Sequence, residues 1–461
     1  MLIEFSVGNY RSFKNVVTLS MVATNIKSYD EDLDQRTVFI APDGKTRLLT
    51  SAAIYGANAS GKSNLIKAFA FVRTMVLHSL QQLADGDEID VEPFRLAVST
   101  REKPSIFEVI FVYNTTTYRY GFEATSERIV HEWLYHTPHG KSREACLFER
   151  TEHEPVYLAR GVFREGRRAY NSTRDNVLFL SVLAQNYNDQ TALAVTRWFR
   201  ETAKLVSGLH DFSRPFSIEC LEDGHELREG VLHLMSQLDL AVVDIQVKTE
   251  AIDFEEMSAK MKMPEDLKSV LRHSLGSDGL KSVEVHTIHH VYDDEGTPIP
   301  TETEVFDLDE HESDGTQKLF ALAAPIVAAL QRGLVLFADE FDSRLHPLVA
   351  RELIQLFNNS RTNPNHAQLI FTTHDTNLLD NELLRRDQIW FTEKLNNEAT
   401  ELVSLATYKV RNDEAYARRY LQGRYGGIPY IGNLMPIFEG ADSYKGAHSV
   451  EPEVTLAEAQ Q

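Results

Sequence analysis

Residues 47–63 read Arg47-Leu48-Leu49-Thr50-Ser51-Ala52-Ala53-Ile54-Tyr55-Gly56-Ala57-Asn58-Ala59-Ser60-Gly61-Lys62-Ser63. The mostly apolar run from Arg47 to Tyr55 predicts a buried strand that ends at Gly56. From Lys62 to Val76, Leu65, Ala68, Phe69 and Val72 recur at i, i+3, i+4 and i+7, the spacing of one helix face. Between strand and helix, Gly56 to Ser63 fits G-x-x-x-x-G-K-[ST] at every fixed position. Two glycines let backbone N–H groups curl round phosphates, Lys62 supplies a cation to the β- and γ-phosphates, and the Ser63 hydroxyl completes Mg²⁺ coordination. The helix N-terminus adds its partial positive charge. The candidate nucleotide-binding set is therefore Gly56, Ala57, Asn58, Ala59, Ser60, Gly61, Lys62 and Ser63, with Asn64 in the first helical turn.

A second stretch answers the first. Leu334-Val335-Leu336-Phe337-Ala338-Asp339-Glu340 is an apolar strand that delivers two carboxylates at its C-terminal end, the edge where open α/β sheets bind ligands. Asp339 is the candidate metal ligand with Ser63, and Glu340 the candidate general base toward water. Lys62 and Asp339 lie 277 positions apart, too far for a compact GTPase, and no N-K-x-D guanine-reading motif occurs. Glu312-Ser313-Asp314-Gly315 opens a helical stretch some 25 residues before the carboxylates. Ser313 can cap that helix, and Gly315 lets backbone approach a phosphate.

The rest of the chain sets the frame. Its 461 residues carry 47 basic and 68 acidic side chains, a formal charge of −21. That balance disfavours coating of DNA or anionic membrane by bulk attraction. Two cysteines, Cys146 and Cys220, offer neither a disulfide framework nor metal spacing. No run approaches the ~18 apolar residues of a membrane span, and no secretory signal is visible, so a cytoplasmic protein is expected. Strand-like alternation runs from Pro104 to Leu147 and recurs at Val242–Val247 and Val283–Val291; Gln190 to Gly208 reads as a helix, and Val231 to Leu238 as a short one. In the last third, Gly315–Leu330 and Pro347–Phe357 read as helices, and Gly333–Ala338, Gln368–Thr373 and Gln388–Thr392 as strands. Short apolar strands separated by helices predict an α/β fold with a parallel sheet covered on both faces.

Taken together these motifs resemble the ATP-binding-cassette ATPase heads of the branch that includes the SMC and RecF proteins. The resemblance implies a mixed sheet with a parallel core, an inserted region with no long coiled coil, and ATP with Mg²⁺ as ligands. It implies that Ser313 and Gly315 form the signature that contacts the γ-phosphate held by a second subunit, although Asp314 replaces the usual second glycine and Glu312 the usual leucine. Asn9-Tyr10-Arg11-Ser12-Phe13 is similar to the family's N-terminal loop, which implies that Arg11 approaches nucleotide. Asp342 to Pro347 stands where the family has its D-loop, and His374, at the end of the QLIFTT strand, stands as its switch histidine. Glu340, His374 and Lys62 are then the catalytic candidates. Gln185 has no surroundings that support a Q-loop role.

A narrower resemblance rests on ESDGTQKLF, DEFDSRLHP and GRYGGIP (Gly423 to Pro429). These phrases resemble the stand-alone RloA-like group, catalogued among AAA-type ATPases and associated with bacterial restriction or anti-phage loci. The ATPase of the phage anti-restriction-induced system belongs to that group. The resemblance implies a slow, switch-like ATPase, a head-to-tail dimer or higher oligomer that acts as sensor and scaffold. It would hold and release a separate toxic effector, a TOPRIM-type nuclease, in response to a phage-encoded trigger. The 87 residues after His374 hold no D-x-D cluster, so cutting is expected from the partner.

Two alternatives stay open: a RecF-type DNA-repair ATPase, and a non-hydrolysing ATP-gated scaffold. Arg160, Arg164, Arg167, Arg168 and Arg174, with Phe163 and Tyr170 between them, are the one basic stretch that favours contact with nucleic acid or with a DNA-mimicking acidic protein; a solvated loop is the plainer reading. The expected division is an N-terminal lobe with the phosphate loop (1–80), a β-rich part (81–185), and an insertion for partner or oligomer contacts (186–300). A C-terminal lobe with signature, carboxylates and switch histidine (301–440) and a disordered acidic tail (441–461) complete it.

Overall fold

The computed structural model describes residues 1–429 apart from 29, 153, 208–212, 223, 239–241, 253–257, 259–262, 265–267, 269–279 and 412–413. The expected acidic tail at 441–461 lies outside the described residues. At the centre is a six-stranded sheet in the order Ala203–Ser207, Val335–Asp339, Gln368–Thr372, Ser51–Gly56, Ile389–Lys394, Thr400–Ser404. Its first five strands run parallel and the last returns antiparallel. The fold is mixed α/β with a parallel core that carries the phosphate loop.

Both faces of this sheet are buried, which is why its strands read as continuous apolar runs rather than alternating ones. The pleat divides each strand between two cores. Ile54, Val335, Phe337 and Ile370 face one, and Ala53, Tyr55, Leu336, Ala338, Leu369 and Phe371 face the other. The Asp314–Arg332 helix packs into the second core, with Leu319 through Ala329 almost wholly buried. The Lys62–Gln82 helix packs into the first, against a seven-stranded sheet. That sheet is ordered Tyr157–Leu158, Ala145–Thr151, Ile129–Thr137, Thr116–Ala124, Ser105–Tyr113, Leu2–Gly8, Val17–Ser20, and every pairing in it is antiparallel.

Phe69 is the contact through which helix and both sheets meet. Its ring stands edge-on to Phe5 of the seven-stranded sheet at 5.4 Å and lies on Phe337 of the central sheet at 3.8 Å. A third sheet, Val242–Ile252, Leu280–Tyr292 and Pro298–Asp307, precedes the Asp314–Arg332 helix.

Two sequence expectations need correction. Arg47 to Tyr55 is not one strand: Arg47–Leu49 pairs with Val38–Ile40, and Ser51–Gly56 belongs to the central sheet. The break is at Thr50, whose hydroxyl donates to Asn358 Oδ1 at 2.7 Å. The stretch from Gln190 is helical only to Arg197; a π-helical turn at Trp198–Thr202 follows, and Ala203–Ser207 is the edge strand beside Val335–Asp339. Burial of Trp198 and Phe199 under the seven-stranded sheet ends the helix there, so packing overrides local pattern. The 186–300 stretch thus supplies a strand of the central sheet as well as the first two strands of the third sheet.

Phe69→Ala should open a cavity between the two sheets and cost about 3–5 kcal/mol, read from the denaturant midpoint. A loss below about 1 kcal/mol would show that Phe69 does not join the layers.

Candidate functional site

The parallel strands of the central sheet release their chains on one edge, and the sequence motifs meet there. The phosphate loop leaves Gly56 under the neighbouring hairpin. Ser60 Oγ and Thr392 Oγ1 are 2.6 Å apart, and Thr400 Oγ1 donates to Ser60 O at 2.7 Å. Gly61 has a φ of +109°, and a Cβ there would stand 2.3 Å from Thr400 Oγ1 and 2.8 Å from Ser12 Oγ. Only glycine fits both the conformation and the space. Ala57 is half-buried, while Asn58 and Ala59 are exposed on the crest of the loop.

Lys62 is 6% exposed, and its Nζ donates to Gly56 O at 2.7 Å and Ala57 O at 3.0 Å. Burial pulls its pKa down to about 8, against the opposing charges of Asp339, Glu340 and Asp342. The ammonium is thus held by two neutral carbonyls, weaker partners than a phosphate would be.

The carboxylates sit across one intervening strand. Ser63 Oγ donates to Asp339 Oδ1 at 3.1 Å, and Thr372 Oγ1 donates to the same oxygen at 2.7 Å. The Thr372 hydroxyl also accepts from the Glu340 N–H at 2.7 Å. Glu340 has a φ of +50°, an uncommon conformation for a non-glycine residue, which costs of order 1–3 kcal/mol and turns its N–H back to Thr372. A serine hydroxyl and an aspartate oxygen this close form the hard, oxygen-only donor pair that Mg²⁺ takes alongside phosphate oxygens and water.

Around this centre lie the remaining candidates. Arg11 Nη2 pairs with Glu92 at 2.8 Å, and the arginine lines a 340 Å³ cleft together with Ser12, Ala59, Asn64 and Lys394. Arg11 therefore stands at the rim of the phosphate loop. Asn64 Nδ2 donates to Ser12 Oγ at 2.8 Å, which ties the Asn9–Phe13 loop to the first helical turn. His374 follows the Gln368–Thr372 strand and faces solvent. Partial burial of its ring lowers its pKa first, and the charge of Lys62 lowers it further against Asp342, Glu340 and Asp339.

Ser313 caps the Asp314–Arg332 helix as expected, its Oγ accepting from Thr316 N at 3.1 Å. Gly315 packs on the segment after the carboxylates; a Cβ there would stand 3.1 Å from Arg344 O. Among the described residues, the Ser313 hydroxyl bonds to Thr316 and to no group of its own phosphate loop. Of the arginine stretch, Arg160, Arg164, Arg167 and Arg168 are exposed, Arg168 pairs with Glu165 at 3.1 Å, and Arg174 donates to Leu80 O.

This arrangement defines a P-loop nucleotide-binding protein of mixed α/β architecture. The chain matches the family described as "AAA domain, putative AbiEii toxin, Type IV TA system" over residues 51–156 and 242–380, just over half its length, and it belongs to that family. It is therefore a P-loop ATPase by family, and both candidate motifs fall inside the matched residues. Among solved structures it is similar to the SMC head domain from Thermotoga maritima at 14% identity and a TM-score of 0.37, covering 87% of this chain and 98% of that one. The Smc head domain with a coiled coil and joint from Pyrococcus yayanosii gives 11% identity and 0.38, over 92% and 99%. The recombination mediator protein RecF of the RecFOR pathway gives 13% and 0.32, over 87% and 98%. At such scores the strand order described above, and not the likeness, carries the fold. No curated protein matches the chain. No helix among the described residues is long and apolar enough to cross a membrane.

Sequence reasoning missed Thr372, Thr392, Thr400 and Ser12. Each acts through a contact 30 or more positions away, and a threonine at a strand end carries no signal of its own. The GRYGGIP segment also proves to be part of this region: Tyr425 stacks on Phe391 at 5.5 Å, and the ideal Cβ position of Gly427 is 3.5 Å from Gly56 Cα.

Thr372→Val removes one hydrogen bond to a carboxylate and one from a strained backbone. It should lower stability by about 2 kcal/mol in denaturant titration while leaving the secondary structure by circular dichroism unchanged. A loss within about 0.5 kcal/mol would mean that the bridge does not hold the carboxylates.

Proposed function

We propose that this protein binds Mg²⁺-ATP at the Gly56–Asn64 loop and hydrolyses it to ADP and phosphate. The observation that carries the reading is the chain Ser63–Asp339–Thr372–Glu340 beside Lys62, which gathers a phosphate cradle, a metal-ligand pair and a second acid at one sheet edge. Lys62 would leave the two loop carbonyls for the β- and γ-phosphates, Arg11 would approach from the cleft rim, and Ser63 with Asp339 would hold Mg²⁺. The metal supplies charge neutralisation of the phosphate oxygens. Glu340, with its backbone fixed by Thr372, accepts a proton from the attacking water, and His374 contacts the γ-phosphate from the next strand end.

Because the Ser313 hydroxyl makes no hydrogen bond to its own phosphate loop, we assign it and Gly315 to the nucleotide of a second copy, which gives a head-to-tail homodimer with two shared sites. Slow turnover in such a dimer suits a switch. We assign the protein to a cytoplasmic bacterial defence system as sensor and scaffold, with the 186–300 segment contacting a separate nuclease effector that a phage-encoded trigger releases. The family's link to a toxin system supports this assignment.

Glu340→Gln should keep ATP binding and lower turnover at least 100-fold, whereas Lys62→Ala should lose binding, both read by phosphate release and nucleotide titration. Unchanged turnover in Glu340→Gln would overturn the general-base role. For the cellular role, co-expression with the adjacent gene should be toxic only on phage challenge; a repair defect on deletion with no toxicity in any challenge would favour the DNA-repair reading.

A further inference from the structure

The residue before Ser313 is a carboxylate whose side chain is 10% exposed, and it does not face the nucleotide edge. Glu312 Oε1 accepts from the Thr287 hydroxyl at 2.5 Å and lies 2.7 Å from His289 Nε2. Thr287 and His289 are on Leu280–Tyr292, the middle strand of the third sheet. Thr287 is wholly buried, and the His289 ring packs on Phe306 of the adjoining strand at 4.9 Å.

The short connection from that sheet to the Asp314–Arg332 helix is tied down along its length. Leu308 N donates to Val285 O at 2.9 Å, Asp307 N donates to His311 Nδ1 at 3.0 Å, and Arg214 grips Asp309 through both guanidinium nitrogens. A buried carboxylate keeps its place only while its donors keep theirs, because an unpaired one is costly. Glu312 is bonded in sequence to the helix cap, so the position of the third sheet sets the position of Ser313.

We propose that His289 and Thr287 are positioning residues for ATP hydrolysis, acting through Glu312 to place Ser313 and Gly315 against the nucleotide of the second copy. This rests on the shared-site reading above. The third sheet then becomes the element through which a bound protein is sensed: a partner that displaces Leu280–Tyr292 changes turnover without touching the phosphate loop. It also accounts for glutamate where a cassette signature has leucine.

The test compares steady-state ATPase of His289→Ala and His289→Gln with that of the unaltered protein, each checked for an unchanged melting temperature within a few degrees. His289→Ala should lower kcat about tenfold and leave KM for ATP within twofold, because the phosphate loop of the same chain is untouched. His289→Gln, whose amide N–H can reach the same carboxylate, should recover at least half of kcat. Mixing His289→Ala with Lys62→Ala in equal amounts should raise turnover at least twofold above either alone at the same total protein, since one shared site of each mixed dimer then joins an intact loop to an intact signature.

The control pair is Ser313→Ala mixed with Lys62→Ala. If that pair complements and the His289 pair does not, the positioning role is overturned while the shared site stands. If neither complements, the shared site fails and this inference fails with it. A kcat loss that glutamine does not recover, or a rise in KM equal to the fall in kcat, also overturns it.

Discussion

The two acids of the candidate site depend on one hydroxyl at the end of the strand beside them. Val335–Asp339 and Ser51–Gly56 are not neighbours; Gln368–Thr372 lies between them, and its last side chain reaches the two acids at the end of Val335–Asp339. Thr372 satisfies Asp339 through its proton and the Glu340 backbone through its oxygen, so one side chain fixes both acids. A backbone turned to positive φ at Glu340 persists only where its surroundings over-determine it, and the hydrogen bond from its N–H is what does so. Asp339 is thereby held toward Ser63.

Strain of this kind is concentrated round the site. Of the nine non-glycine residues with positive φ among the described residues, Asn9, Arg11, Ala59, Glu340, Arg344 and Glu398 lie on loops that border the phosphate loop, the carboxylates or the Gly315 contact, while Asn114, Asn188 and His366 lie elsewhere. The rigid surroundings that hold them are the two cores on either side of the central sheet, joined through Phe69. Packing and chemistry are therefore linked: the layers fix the strand ends, and the strand ends fix the loops.

What could be read from sequence follows from where the physics is local. Gly56, Gly61, Lys62 and Ser63 were legible because phosphate binding dictates residue types at fixed spacing on one continuous turn. Asp339 and Glu340 were legible because an apolar strand that ends in two acids is unusual in a buried sheet. Ser313 was legible as a cap. The clamps from Thr392, Thr400 and Ser12 were not, since each depends on a partner between 52 and 340 positions away. Ala203–Ser207 was missed because a five-residue strand directly after a helix offers too short a pattern, and only pairing with Val335–Asp339 defines it. The glutamate in the signature looked like a mere departure until Thr287 and His289 supplied its partners.

The most direct measurement is a structure of the Glu340→Gln protein with Mg²⁺ and ATP. The account predicts Lys62 Nζ moved from the Gly56 and Ala57 carbonyls onto the β- and γ-phosphates, the metal between Ser63 and Asp339, and Ser313 of a second copy at the γ-phosphate. Nucleotide bound elsewhere, or bound at the loop with Lys62 still on its two carbonyls and no second Ser313 within reach, would contradict it.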